Sequence, residues 1–251
     1  MSQTVDVRGL RIGEGKPKIC VPVTGRCRAE VLAQAERLPA ETQIAEWRAD
    51  YDEELADISA VLETGGQLAQ ILTGRDIPLL FTCRSRREGG FSDLPENAYE
   101  ALSLRVVQSG FADLIDVEYA YGKTRDVILA EAKRCGVRSI VSSHDFAKTD
   151  AEEELVRRLS AMAECGADIA KLAVMPETPA DVTALLSATA RVHERCQVPL
   201  ITMSMGKLGA VSRICGETFG SAVTFASAEE ASAPGQIPVG ELARMLEVLR
   251  P

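Results

Sequence analysis

The sequence predicts a TIM barrel, a ring of eight βα units. Short apolar or alternating runs recur eight times along the chain, and amphipathic segments of helical period separate most of them. The length, 251 residues, is the common size of a single (β/α)8 barrel. The runs are KICVPV (18–23), QIAEWRAD (43–50), PLLFTCR (78–84), LIDVEYA (114–120), SIVSSH (139–144), IAKLAV (169–174), PLITMSM (199–205) and AVTFAS (222–227). Between them, segments such as AEVLAQAERL, ENAYEALSLRVVQSG and EEELVRRLSAMAECG have the period and the Ala/Glu/Arg content of helices. Gly110, Gly136 and Gly166 stand where such helices must stop before the next strand, as left-handed C-caps require. A doubly wound open sheet is the alternative, but no GxGxxG turn follows the first run. No composition shift marks a domain boundary, so a single domain over 1–251 is expected.

In such a barrel the site forms at the C-terminal ends of the strands. Taken in order, those ends are rich in polar residues. Glu46, Arg48 and Asp50 alternate on the second strand, which puts all three on one face. Arg84 closes the third, and Glu88 follows in RSRREGG. Asp116 and Glu118 share a face of the fourth, and His144 closes the fifth after Ser142 on the same face. Lys171 is the only charged residue of the sixth. Met203 and Met205 alternate on the seventh, and Arg213 comes just after the Gly-rich MGKLGAVSR. The stretch ASAEEASAPGQIP that follows the eighth has the small-residue composition of a lid, or equally of a plain surface loop.

Composition removes several classes. A net charge of −9 gives no basic footprint for nucleic acid or anionic membrane, so an anionic ligand must be held by locally placed arginines. The seven cysteines are scattered and odd in number, with no CxxC, so neither a zinc site nor a disulfide framework is expected. Reduced thiols fit a cytoplasmic enzyme. No signal peptide or uninterrupted apolar span is recognisable.

The chemistry turns on Lys171. A charge in an apolar strand is costly unless it is paired or neutralised, and a neutral lysine is an amine able to form an imine with a ketone. Burial there is expected to disfavour the ammonium; a structural ion pair is the competing reading. His144 at the rim suits general acid/base work, or else plain structural bonding. Glu88 could orient its ring or simply be a loop carboxylate. Asp116 and Glu118 read best as partners for Arg48, Arg84 or Lys171, ahead of a glycosidase-like acid pair or metal ligands. His193, in TARVHERC, is expected at the solvated surface, and Met203 and Met205 as core filler. The GKLG turn at 206–209 is only a weak phosphate signal because it lacks GxxxxGK[ST].

Several segments are similar to those of one family: EWRADY (46–51), FTCRSRREGG (81–90), DLIDVEY (113–119), SSHDF (142–146), AKLAVMP (170–176), ITMSMGKLGAVSRICGETFGSAVTFA (201–226) and ASAPGQIP (231–238). In order and spacing the chain closely resembles the type I 3-dehydroquinate dehydratases, (β/α)8 barrels of the shikimate or quinate pathway. The resemblance implies syn elimination of water from 3-dehydroquinate to 3-dehydroshikimate through a lysine imine. It makes Lys171 the Schiff-base lysine, His144 the general base and acid, and Glu88 the supporting carboxylate. It gives Glu46, Arg48 and Arg84 to the substrate oxygens, Arg213 to the substrate carboxylate, and Ser232 and Gln236 to a closing lid. It implies a cytoplasmic homodimer that needs no metal or organic cofactor. A class I aldolase would share the lysine but require a phosphate site, and a non-catalytic barrel should have lost one of Lys171, His144 and Glu88.

Overall fold

Residues two apart on a strand share a face, and this interval organises the molecule. The structure, a computed structural model, describes residues 4–228 and 233–249. Its sheet strands are β3 (Lys18–Val23), β4 (Ile44–Arg48), β5 (Leu79–Thr82), β6 (Leu114–Glu118), β7 (Arg138–Asp145), β8 (Ile169–Val174), β9 (Leu200–Ser204), β10 (Val223–Ser227) and β11 (Ile237–Pro238). They form one curled, all-parallel, nine-stranded sheet in the order β11-β10-β3-β4-β5-β6-β7-β8-β9. Just ahead of β10, Ser221 bridges to Leu200 of β9, and Ala222 N–H donates to the Leu200 carbonyl at 2.7 Å.

The crossovers are helical: α1 (Arg28–Glu36), α2 (Ile58–Thr73), α3 (Glu96–Ser109), α4 (Lys123–Cys135), α5 (Glu152–Glu164) and α6 (Pro179–His193), then the short α7 (Val211–Ile214) and α8 (Gly216–Phe219), with α9 (Val239–Val248) last. Gly110 and Gly136 cap α3 and α4 with positive φ, and Gly166 follows the α5 cap with φ 95°. Among the described residues no helix is long and apolar enough to cross a membrane.

Both faces of the sheet are covered, so the strands are buried almost throughout. The outward face packs with the helices into one large apolar cluster around Trp47, Phe81, Val117, Val141 and Leu172. The inward face is layered. Its floor is Cys20, Ile44, Leu80, Leu114, Ile140, Ile169, Ile201 and Val223. Two residues further along the same strands come Glu46, Thr82, Asp116, Ser142, Lys171, Met203 and Phe225, a buried layer of mixed polarity. Glu46, Asp116 and Lys171 thus each stand one layer above an apolar residue of their own strand.

Some expectations are corrected. β4 ends at Arg48, and Asp50 lies in the single turn Ala49–Tyr51 that follows. Arg84 lies beyond the end of β5 and Met205 beyond β9, since sheet pairing stops at Arg48↔Thr82 and Val174↔Ser204. An antiparallel hairpin not foreseen from sequence, β1 (Val5–Val7) with β2 (Leu10–Ile12), precedes β3; its Val5, Val7 and Ile12 join the interior apolar cluster. His193 is half-buried against Gly220 rather than solvated, and its Nδ1 is buried with no hydrogen-bond partner.

Candidate active site

Most of the sequence-predicted site residues meet in one pocket at the C-terminal ends of the strands. Glu46, Arg48, Arg84, Glu88, His144, Lys171, Arg213 and Gln236 all line it, with Phe146, Met203, Met205, Phe225 and Ala233. Ser232, expected in the lid, falls outside the described residues.

Lys171 is not in apolar surroundings. Its Nζ donates to Asp116 Oδ2 at 3.3 Å, stands 3.8 Å from Glu46 Oε1, and lies 4.4 Å from the centre of the Phe225 ring. Asp116 also accepts Ser142 Oγ at 2.6 Å and Arg84 Nη2 at 2.8 Å. Burial alone would raise the Asp116 carboxyl, but Arg84 and Lys171 outweigh it and hold it below the usual carboxylate value. Glu46 accepts Thr82 Oγ1 at 3.0 Å.

Arg84 is the hub of the buried charges. Besides Asp116 it meets Glu118 at 3.3 Å, Glu88 at 3.6 Å and Ser142 Oγ at 2.9 Å. These carboxylate and hydroxyl acceptors offset the cost of burying the cation. Glu118, buried throughout, also takes Ser85 N–H at 2.8 Å and Ser85 Oγ at 2.7 Å, tying the loop after β5 to β6.

Glu88 lies in a single helical turn, Arg86–Glu88, and grips His144 twice. Its Oε2 accepts the His144 backbone N–H at 3.1 Å and sits 2.9 Å from the ring Nδ1. Burial, reinforced by Arg84, Lys171 and Arg48, pushes the His144 imidazole well below its ordinary value. Burial also lifts Glu88, against the pull of Arg84, to about 8. Either charge is disfavoured in this corner. With Nδ1 directed to Glu88, Nε2 is the ring nitrogen left for chemistry.

Arg213 differs from the other arginines. It is buried, yet among the described residues no carboxylate lies within ion-pair distance. Its Nη2 donates to the Pro234 carbonyl at 2.9 Å, its Nη1 lies 3.4 Å from the Phe225 carbonyl, and its Nε has no partner. Burial accordingly lowers it to about 10. A buried guanidinium facing a pocket with unmet hydrogen-bonding capacity is a receptor for an anion, and its fork matches a carboxylate. The GKLG turn is not such a receptor: Gly206 N–H is spent on the Pro234 carbonyl at 3.1 Å, and Gly209 lies hard against the Ser204 carbonyl.

Sequence reasoning did not single out Phe225 or Phe146 as pocket residues. The first was legible from its two-residue offset from Val223; the second has no signal short of the fold, since it is placed by its contact with Gly89.

The family model for type I 3-dehydroquinase matches residues 19–251. A 3-dehydroquinate dehydratase of Bacillus licheniformis is 45% identical over 252 residues, covering 99% of this chain and 98% of that protein. One of Salmonella paratyphi B is 46% identical over 253 residues, covering 98% of each. Among solved structures, the type I 3-dehydroquinate dehydratase of Clostridium difficile with covalently modified comenic acid superposes with a TM-score of 0.96 at 43% identity, covering 100% of this chain and 99% of that one. The Geobacillus kaustophilus 3-dehydroquinate dehydratase gives 0.94 at 42% identity, covering 98% and 96%.

Proposed function

The chain belongs to the type I 3-dehydroquinase family and is a hydro-lyase acting on 3-dehydroquinate, and from that premise we propose that it works through a lysine imine with His144 as the acid and base. The observation that carries this reading is the convergence on one pocket of Lys171, the Glu88-bonded His144 and Arg213, which has no carboxylate partner among the described residues.

The substrate carboxylate docks on Arg213, which meets the unused donors of its guanidinium. Glu46 and Arg48 take the ring hydroxyls, which orients the C3 ketone toward Lys171. His144, kept neutral by burial, is the base that accepts the proton Lys171 must shed before it attacks. The amine adds to C3, His144 returns its proton to the carbinolamine hydroxyl, and water leaves to form the protonated imine, with His144 neutral again. The protonated imine withdraws electrons from the C2–H bond; His144 removes that proton, and the electron pair is stored as an enamine. His144 then returns the proton to the C1 hydroxyl, which departs as water while the double bond forms between C1 and C2. Hydrolysis of the conjugated imine frees Lys171 and 3-dehydroshikimate. One residue serving both proton steps from one face makes the elimination syn. Acid/base help of this kind contributes roughly 10²–10⁴-fold in rate. Asp116 is the counter-charge to the iminium, as it is to the ammonium. The covalently modified ligand of the Clostridium difficile relative supports a covalent route.

In this reading the curled sheet is a closed (β/α)8 barrel, a single domain over 1–251, closed where Leu200 meets Ser221. Family likeness carries the rest: service in the shikimate pathway, a cytoplasmic homodimer, and Ser232 and Gln236 as lid residues.

Borohydride trapping tests the mechanism. Incubation with 3-dehydroquinate and reduction should leave a mass adduct on Lys171 and abolish turnover, while Lys171→Ala should give no adduct and almost no activity. An adduct formed normally in Lys171→Ala, or full turnover without trapping in the wild type, would overturn it.

A further inference from the structure

The structure assigns to Asp50 a positioning role in this reaction: its carboxylate is the shared anchor of Arg48 and of the loop that holds the acid/base pair. The assignment rests on the reading of the site above, in which Arg48 grips substrate oxygens and Glu88 orients His144.

Asp50 does not line the pocket, and its side chain is completely buried. Each of its oxygens accepts two hydrogen bonds. Oδ1 takes Arg48 Nε at 2.8 Å and the Arg84 backbone N–H at 3.2 Å. Oδ2 takes Arg48 Nη2 at 2.8 Å and the Phe91 backbone N–H at 3.1 Å. The Arg48 fork is therefore fixed along one edge by a bidentate carboxylate, and along one face by the Tyr51 ring, whose centre is 5.0 Å from Cζ. Nη1 is the nitrogen that Asp50 does not use, and the whole guanidinium has one orientation in the pocket wall.

The two backbone donors sit at opposite ends of the loop 84–92. That loop is a tight ring: Ser92 N–H donates to the Arg84 carbonyl, Arg86 N–H to the Ser92 carbonyl, and Gly90 N–H to the Ser85 carbonyl. A Cβ on Gly90 would run into the Arg84 carbonyl, so the ring closes only with glycine there. Asp50 pins both feet of the ring to the end of β4, and the ring carries Glu88, which grips His144. One carboxylate thus sets the position of a binding residue and, through Glu88, of a catalytic one.

The charge type matters. Asparagine is nearly isosteric but has a single acceptor oxygen, and its NH2 would face two N–H donors at the other position. Asp50→Asn should therefore raise KM at least tenfold by loosening Arg48 and lower kcat at least tenfold by loosening the loop. The double-mutant cycle distinguishes positioning from general destabilisation. In an Arg48→Gln background the KM effect of Asp50→Asn should vanish, and in a Glu88→Gln background its kcat effect should shrink. Rates are taken per folded protein, measured by near-UV circular dichroism and thermal melting. If Asp50→Asn does not fold, Asp50→Glu keeps the charge, displaces it by one methylene, and should show the same split at smaller size. A folded variant with KM and kcat within about twofold of wild type, or a KM penalty undiminished in the Arg48→Gln background, would overturn the assignment. Wild-type trapping on Lys171, run alongside, separates the two claims: its absence refutes the imine reading, whereas wild-type trapping with an inert Asp50→Asn refutes only the role of Asp50.

Discussion

At the scale of single residues, burial acts on His144 and Glu88 in opposite directions, and the pair takes up its first proton on the Glu88 side, at about 8. Above that value Glu88 is a carboxylate, Nδ1–H donates to it, and Nε2 is bare and basic. As pH falls through it the pair gains a proton and the basic form is depleted. The rate limb in kcat/KM should accordingly fall on the acid side with a midpoint near 8. In Glu88→Gln that ionisation is gone, the amide oxygen still accepts Nδ1–H, and the limb should move below the ordinary histidine value of about 6.5. A pH profile that does not move between the two proteins contradicts this. The residues of the pair were legible one at a time: His144 as a strand-end histidine, Glu88 as a carboxylate in the next-but-one loop. Their contact is only one of two readings that the sequence leaves open for Glu88, because it spans 56 positions and depends on the ring 84–92. The sequence suggests Asp116, which the structure shows, but not Glu46, as a partner of Lys171. Its own strand is apolar, and the carboxylates that meet it come from β4 and β6. Alternation places Asp50 on one strand face with Glu46 and Arg48, but its bonds to the Arg84 and Phe91 N–H groups need the chain to leave the strand at Ala49.

At the scale of elements, the helices stop and the strands start nearly where glycine and alternation place them. What escaped is what is too short to carry a period, such as the three-residue strands β1 and β2 and the single turns after β4, β5 and β6. Helix α2 shows how packing overrides propensity. It is capped by Asp57, whose side chain accepts the Ser59 and Ala60 N–H groups, and it buries Val61, Thr64, Gly65, Leu68 and Leu72. Alanine is the better helix former, by about 0.5–1 kcal/mol over glycine. At Gly65, however, a Cβ would enter the ring of Phe111, itself packed on Trp47 and Phe81. Gly65→Ala should destabilise by about 1–3 kcal/mol, seen as a lower melting temperature with kcat and KM unchanged. A stabilised protein would show that the ring moves aside freely.

At the scale of the whole molecule the described residues form a large apolar cluster between sheet and helices and a smaller one inside the sheet, and of these two the second touches the site. The N-terminal hairpin belongs to the inner cluster, where Ile12 is fully buried. Ile12→Ala should cost about 2–5 kcal/mol, as for a core isoleucine, and chemical denaturation can measure it. A loss below about 0.5 kcal/mol would make the hairpin an appendage. The enzyme's kinetic constants should stay near wild type, because the floor and the reacting groups occupy separate layers.

That layering also governs how such a chain can change its length across generations. A residue gained or lost between Ile169 and Lys171 turns the lysine to the helical side, and no partial insertion exists that keeps both in place. The same holds from Ile44 to Glu46 and from Ile140 to Ser142. Growth and shrinkage of the gene are thereby channelled into helices and connections. The long separations between strands can drift from one descendant to the next, while the two-residue steps within them stay fixed.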